Sequence, residues 1–331
     1  MKTIYEGRDK IMGLAECLKE KIFKGNQITR EEALRLYGEP LEEICRAADE
    51  IRQFFCGDKF DLCTIINGKS GRCSEDCKYC AQSAYYHTPA EEYPLLDTDE
   101  IVRQAEYNAK RGVLRYSIVT SGRCLDDAEV DQMCEAIRAV RRKARIEVCV
   151  SFGLLTEEQF RKVRKAGASR VHNNLESSER NFPNVCTTHT FADKVRAIQA
   201  AQAAGLEVCS GGIMGLGETA EDRIDMAFSI RELGIKSVPV NMLNPIPGTP
   251  YEKNERLTAD DMRRIAAVYR FILPDAAIRL AGGRGLLEDK GEGAFCSGAN
   301  AAISGDMLTT AGYTVETDLK MLTELGYKVA L

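Results

Sequence analysis

Lys69 to Gln82 reads KSGRCSEDCKYCAQ, and its three cysteines, Cys73, Cys77 and Cys80, stand at the spacing C-x3-C-x2-C. Three thiolates on one short loop hold three corners of a cubane iron–sulfur cluster and leave the fourth iron without a protein ligand. A structural zinc closes four ligands around itself, usually as two spaced pairs, and an electron-transfer cluster takes a fourth cysteine. No cysteine follows this loop at ferredoxin spacing. The pattern points to a [4Fe–4S] cluster whose open iron is free to bind a small molecule.

The run just before the loop, Asp61 to Asn67, is the first of eight strand candidates. The others are Arg115–Thr120, Ile146–Phe152, Arg170–Leu175, Glu207–Ile213, Ser237–Leu243, Ala276–Ala281 and Ala299–Ser304. Helical patterns fall between them at 98–111, 127–143, 156–166, 190–204, 219–233 and 258–272, several opened by a threonine such as Thr98, Thr156 and Thr258. Strands alternating with helices predict an α/β fold, a (β/α)8 TIM-type barrel over residues 59–304. Functional groups of such a barrel sit at the C-terminal ends of its strands, where the cysteine loop lies. Residues 1–58 predict an N-terminal helical extension. Thr29 and Glu32 make a capping box there, and Leu41, Ile44, Cys45, Ile51 and Phe55 share one side of a helix. Cys17, Cys45 and Cys56 in this extension are expected to pack as small hydrophobes. Residues 305–331 form a C-terminal tail packing on the barrel, with a helix near Thr317–Leu325.

The chain has 331 residues, enough for two average domains or one large barrel, and the strand–helix alternation decides for the barrel. Lys and Arg total 45 against 50 Asp and Glu, with no basic run that would track a phosphate backbone, so nucleic acid is excluded as a partner. No apolar run is long enough to cross a bilayer, and MKTIYEGRDK lacks the apolar core of a signal peptide, which predicts a cytoplasmic protein with no membrane contact. In that reducing compartment thirteen cysteines are expected to serve metal or sulfur chemistry or packing, and not disulfides.

Side chains two apart on a strand share a face, and alternate strands of a barrel fill one interior layer. The odd-numbered strand candidates carry Cys63, Cys149, Cys209 and Arg279 where Val, Ile or Leu would be usual. Three thiols and a guanidinium in one layer predict a second metal site; the alternative is that some cysteines face the helices and Arg279 reaches a buried carboxylate.

Tyr79, the aromatic before the last cysteine of the loop, completes a resemblance to the radical S-adenosylmethionine (SAM) superfamily. The segments CSEDCKYCAQS, IEVCVSFG, VCSGGIMGLGET, VPVNML, IRLAGGR, GANAAISGDMLTT and DLKMLTELGY, in order from about residue 40 to 328, are similar to the biotin synthase family. That resemblance implies that Cys149, Cys209 and Arg279 hold an auxiliary iron–sulfur cluster, [2Fe–2S] or a variant, whose sulfur enters dethiobiotin. The family's remaining cysteine ligand aligns with Ser117, and serine binds iron poorly. Cys63 is the candidate replacement, because it belongs to the same layer; Cys186 is the second candidate and Cys124 follows.

The resemblance also implies a SAM pocket. Asn174 and Glu176, in VHNNLESS, match the amide and acidic residue that hold SAM and bridge it to substrate. Gly211, Ile213 and Gly215, in GGIMGLGE, fit a pattern in which bare backbone accepts an adenine ring. Thr120, Ser121 and Gly122 are candidates for the methionine moiety, Asn241 for the ureido ring of dethiobiotin, and Thr309 and Thr310 for its carboxylate tail. His172 is read as a hydrogen-bonded pocket histidine, and no residue is assigned as an acid or base. The family mechanism implied is one-electron cleavage of SAM to a 5′-deoxyadenosyl radical, hydrogen abstraction from dethiobiotin and capture of the carbon radical by cluster sulfide. Reduced flavodoxin or ferredoxin as donor and a homodimer are family expectations. Two other readings are a hydrogenase-maturase or methylornithine synthase type of radical SAM enzyme and a non-catalytic iron–sulfur carrier.

Overall fold

The computed structural model describes residues 12–305 and 312–331. Its parallel strands are β1 (Lys59–Lys69), β2 (Arg115–Thr120), β3 (Glu147–Ser151), β4 (Arg170–His172), β5 (Glu207–Cys209), β6 (Gly212–Met214), β7 (Ser237–Met242), β8 (Ala277–Leu280) and β9 (Ala301–Ser304). Because β1 pairs with β2 on one side and β9 on the other, the sheet closes into a barrel. β5 and β6 together fill the place of the single expected strand over 207–213, and both pair with β7. The break falls at Gly211, where a Cβ would stand 1.8 Å from the carbonyl oxygen of Pro239. The two chains are too close there for a regular ladder.

Around the barrel run α4 (Thr98–Ala109), α5 (Asp127–Lys143), α6 (Glu157–Ala166), the short α7 (Phe182–Val185), α8 (Phe191–Ala203), α9 (Ala220–Glu232), α10 (Ala259–Ile272) and the short α11 (Glu292–Phe295). Thr156, Thr190, Thr219 and Thr258 each accept a hydrogen bond from the backbone N–H three residues on and close a capping box. α4 departs from the expectation: Asp97 is its cap and Thr98 its first helical residue. Each helix turns an apolar stripe to the strands, as Val130, Met133, Ile137 and Val140 do on α5.

Before the barrel, α1 (Leu14–Phe23), α2 (Arg30–Tyr37) and α3 (Leu41–Cys56) form the helical segment, with the expected capping box at Thr29. It is tied to the outer helices by the Arg30–Asp225 ion pair at 2.5 Å and by Arg264 Nη1, which donates to the carbonyls of Tyr37 and Glu39 at 2.8 Å. Of its cysteines only Cys45 is in the core; Cys17 is exposed and Cys56 half-buried. Burial on α3 ends at Arg52, a turn before the helix does, so Phe55 lies at the surface.

After the barrel, α12 (Val315–Glu324) begins two residues earlier than expected, and β10 (Lys328–Val329), which periodicity does not reveal, pairs in parallel with Lys59 and Phe60. Asp318 on α12 forms a buried ion pair with Arg284 at 2.6 Å. Thr309 and Thr310 lie outside the described residues. No described helix is long and apolar enough to cross a membrane, and no cysteine is in a disulfide.

Candidate active site

The loop after β1 is clipped into shape by its own backbone. Cys73 N donates to Gln82 O and Ala84 N to Cys73 O, both at 2.9 Å, while Gly71 N donates to Gln82 Oε1 at 3.3 Å. The carboxylate of Asp76 receives the amides of Thr187 and Thr188 at 2.8 and 3.1 Å, fastening the loop to the segment after α7. Cys73 and Cys80 stand on the wall of a cavity of about 370 Å³ that runs down into the barrel. Burial pushes the Cys80 thiol up to about 11. Cys77 does not line the cavity; its sulfur lies within 4.8 Å of that of Cys186, and its neighbourhood helps bring the Cys186 thiol down to about 4. This corrects the second candidate for the auxiliary set. Cys186 follows a helix outside the barrel, beside Asp76 and His189, and does not meet Cys149, Cys209 or Arg279.

The next wall of the cavity comes from β4, β6 and their loops. Glu176 adopts the left-handed region with φ 69° and is locked there by Glu176 N to Gly211 O at 3.1 Å and Ile213 N to Glu176 O at 2.9 Å. Asn174 bridges the same pieces, donating to Glu176 Oε2 at 3.3 Å and accepting from Gly211 N at 3.1 Å. Burial and the neighbouring Glu176 carboxylate push the Tyr79 phenol well above its usual range, so it stays protonated beside that carboxylate. Ile213 lines the cavity; Gly211 and Gly215 do not, but they shape its wall. Gly215 N and Leu216 N close onto the Glu218 carboxylate at 2.8 and 2.7 Å, which pairs with Arg223. Thr120, Ser121 and Gly122 face the cavity from the end of β2, with Ser121 Oγ donating to Gly71 O at 2.8 Å. Asn241 also lines it, with its amide donating to Gly212 O at 2.9 Å and accepting from Gly282 N at 2.8 Å.

Deeper in the same cavity the structure brings together Cys63, Cys149, Cys209 and Arg279, as the strand alternation predicts. Ser117 is there too, opposite Cys149 in the pairing of β2 with β3. Cys124 is exposed and not on this wall. Burial raises Cys63 to about 12 and Cys149 to about 11. Cys209 is different. Burial raises it as well, but the hydrogen bond to His172 and the charges of Arg279 and Arg170 bring it down to about 6. Ser237 Oγ donates to the same sulfur at 3.2 Å.

Below these thiols Arg279 does reach a buried carboxylate, as the alternative for this layer had it; that this is Asp61, shared with Arg115 and Arg170, sequence reasoning missed. Asp61 Oδ2 faces Arg279 Nη2 at 2.8 Å, Arg115 Nε at 3.3 Å and Arg170 Nη1 at 3.4 Å. Against its burial, these guanidiniums hold the Asp61 carboxyl below the usual carboxylate range. Arg279 Nη1 donates to the carbonyls of Asp61 and Ala302, whereas Nη2 makes its contact off-line and has no hydrogen-bond acceptor. Polar residues at alternate positions of β1, β2 and β4 were the available signal.

Residues 67–230 match the model of the radical SAM superfamily, and residues 239–328 that of the biotin and thiamin synthesis associated domain. The join between the two falls inside the closed barrel. The biotin synthase of Brachyspira hyodysenteriae is 60% identical over 314 residues, 95% of this chain and 94% of the relative. The chain belongs to the biotin synthase family. The biotin synthase of Akkermansia muciniphila, 57% identical over 320 residues, covers 97% of this chain and 100% of its own. Among solved structures, a methylornithine synthase matches with TM-score 0.81 at 20% identity, covering 95% of this chain and 97% of its own. A maturase of the [FeFe]-hydrogenase matches equally well, with TM-score 0.81 at 19% identity over 95% of this chain and 74% of its own. At such identities the likeness is one of fold, so these two do not bear on the reaction, while the biotin synthases do.

Proposed function

We propose that this chain is the radical SAM enzyme that inserts sulfur into dethiobiotin to make biotin. The observation that carries the reading is one cavity with Cys73 and Cys80 at its mouth and Cys63, Cys149, Cys209 and Arg279 within it.

The residues fit the two clusters the family implies. Cys73, Cys77 and Cys80 are the only cysteines of the loop, and their thiolates suit a [4Fe–4S] cluster with an iron left for SAM. In the barrel, the thiol set together with the unsatisfied Arg279 Nη2 suits an auxiliary iron–sulfur cluster, [2Fe–2S] or a variant. Cys63 takes the place of the missing second-strand cysteine, since it is in this layer and Cys186 is not. When bound, the clusters and SAM supply the electron, the 5′-deoxyadenosyl radical and the sulfur.

The chain's own groups bind, orient and seal. Glu176 receives the ribose hydroxyls of SAM, held by its locked backbone and by Asn174 and Tyr79. Thr120, Ser121 and Gly122 take the methionine end; the backbone at Gly211, Ile213 and Gly215 takes the adenine; Asn241 and Asn174 face the substrate. Thr309 and Thr310 are kept as candidates for the carboxylate tail. A closed barrel of buried side chains excludes water from a carbon radical. The enzyme works in the cytoplasm, as a homodimer, with reduced flavodoxin or ferredoxin as donor; residues 1–58 and 305–331 are the extension and tail of a 59–304 barrel.

The test is anaerobic reconstitution with iron and sulfide, then dithionite, SAM and dethiobiotin, with products read by mass spectrometry. Biotin together with 5′-deoxyadenosine is expected; deoxyadenosine with no sulfur transferred would overturn the substrate assignment. In parallel, Cys63→Ala is expected to lose the auxiliary iron and sulfide, and Ser117→Cys in that background to restore them. Full content in Cys63→Ala would remove Cys63 from the ligand set.

A further inference from the structure

Outside the cavity, on the other flank of the cysteine loop, a second group of metal-binding side chains is gathered. The ligand atoms of Cys77, Cys186 and His189 all lie within 4.8 Å of one another, the one such trio of Cys, His or acidic residues among the described residues. Cys186 Sγ is 3.3 Å from His189 Nδ1, and His189 Nδ1 is 2.5 Å from Glu75 Oε2. All but Cys77 are buried, and His189 Nε2 has no partner. The reading above uses Cys77 alone of this group. It gives Cys186 and His189 nothing to do.

Two thiolates and an imidazole, with water in the fourth position, suit a thiophilic divalent ion such as ferrous iron, cobalt or zinc in tetrahedral geometry, while Glu75, whose Oε2 accepts from Thr188 and Arg123 and contacts His189, braces the site from beside it. With bonds of about 2.0–2.3 Å, the edges of such a tetrahedron are roughly 3.3–3.8 Å. The Cys186–His189 separation of 3.3 Å already has that length. The frame is rigid as well. Asp76 binds the amides of Thr187 and Thr188, and Thr188 Oγ1 donates to Glu75 Oε2 at 2.9 Å, so the loop and the 186–189 segment hold each other in register.

We propose that Cys77, Cys186 and His189, with water as the fourth ligand, bind one divalent ion, ferrous iron in the cell, in the chain that has not yet received its cluster. Binding forms two metal–sulfur bonds and one metal–nitrogen bond, displaces all but one of the waters of a tetrahedral ion and expels the thiol protons; no electron moves. The site shares Cys77 with the cluster and keeps the ion off the reaction cavity, so the first iron waits on a ligand the cluster will use. This goes beyond the sulfur-insertion reading and is tested without turnover.

The probe is Co²⁺, titrated anaerobically into iron-free chain carrying Cys63→Ala, Cys149→Ala and Cys209→Ala to silence the barrel thiols. One Co²⁺ per chain is expected, with a thiolate-to-cobalt charge-transfer band and the intense visible bands of a tetrahedral ion. Adding Cys186→Ser or His189→Asn should weaken binding at least tenfold, while Cys73→Ala and Cys80→Ala leave it in place; far-ultraviolet circular dichroism checks that each variant is folded. Unweakened binding in Cys186→Ser overturns the proposal. So does equal weakening by Cys73→Ala, which would put the ion among the loop cysteines. With the native barrel cysteines, Cys186→Ser should also slow cluster formation several-fold at limiting Fe²⁺ and reach the same content with excess iron; equal rates would count against the site.

Discussion

Arg279 Nη2 lies 2.8 Å from Asp61 Oδ2 on the floor of the barrel cavity, and Arg115 and Arg170 crowd the same carboxylate oxygen. One buried anion therefore holds three cations in place. Asp61→Asn keeps the shape and removes the charge, leaving Arg279 and Arg115 without it while Arg170 retains Glu207 at 2.8 Å. Breaking a buried ion pair from one side costs about 3–5 kcal/mol. Urea unfolding of the cluster-free chain should show a loss of that order; an unchanged midpoint would mean that solvent reaches the floor and screens it.

Glu176 is the acidic group assigned to the ribose of SAM. Glu176→Gln retains size but loses the charge that strengthens hydrogen bonds to hydroxyls, a difference of about 1.5–3 kcal/mol. SAM should bind roughly ten- to a hundredfold more weakly by equilibrium dialysis, with loop iron content unaffected. Equal affinity would move the ribose elsewhere.

At Gly211 the backbone of the fifth strand position meets β7. An alanine Cβ would stand 1.8 Å from Pro239 O, a backbone atom that cannot swing aside. Gly211→Ala should therefore cost at least about 2 kcal/mol, within the range of overpacked sites. By contrast, an alanine at Gly205, also on the way into β5, meets nothing within 4 Å and pays only for its left-handed φ of 79°. Thermal unfolding of the two variants separates close contact from backbone strain.

Asp222 gives the acid limb of stability a definite place. Burial opposes its charge, but Ser178, Thr219 and Arg180 bring it down to about 2. A carboxylate depressed in the folded state stabilises above its unfolded value of about 4, and this contribution is lost as pH falls through about 2. The shift corresponds to about 2 kcal/mol. Asp222→Asn should lower stability at neutral pH and flatten its decline between roughly pH 4 and 2; a parallel decline in both proteins would contradict this.

The elements most legible in the sequence were those whose signal is local. β2 and α5 have the expected bounds because a β-branched run and an apolar stripe with an acidic cap are written in consecutive residues. The strand break at Gly211 was not legible, since its cause is Pro239 on another strand. Neither was β10, a pair of residues made into a strand only by the free edge of β1. In the site, the cysteine spacing and the alternation on odd strands named residues that share one cavity, while Cys186 lies outside it because chain order carries no distance.

By itself, then, the sequence determined the class of chemistry and the barrel that houses it: thiol spacing sets which metal centre a loop can hold, and periodicity sets which faces are buried. Only the tertiary structure decided which cysteines meet, because Cys63, Cys149 and Cys209 come from strands tens of residues apart that closure of the barrel brings to one layer. It alone placed Asp61 among three arginines and Cys186 against Cys77 and His189. Charge and metal affinity depend on separations of a few ångströms across the fold, and those are properties of packing.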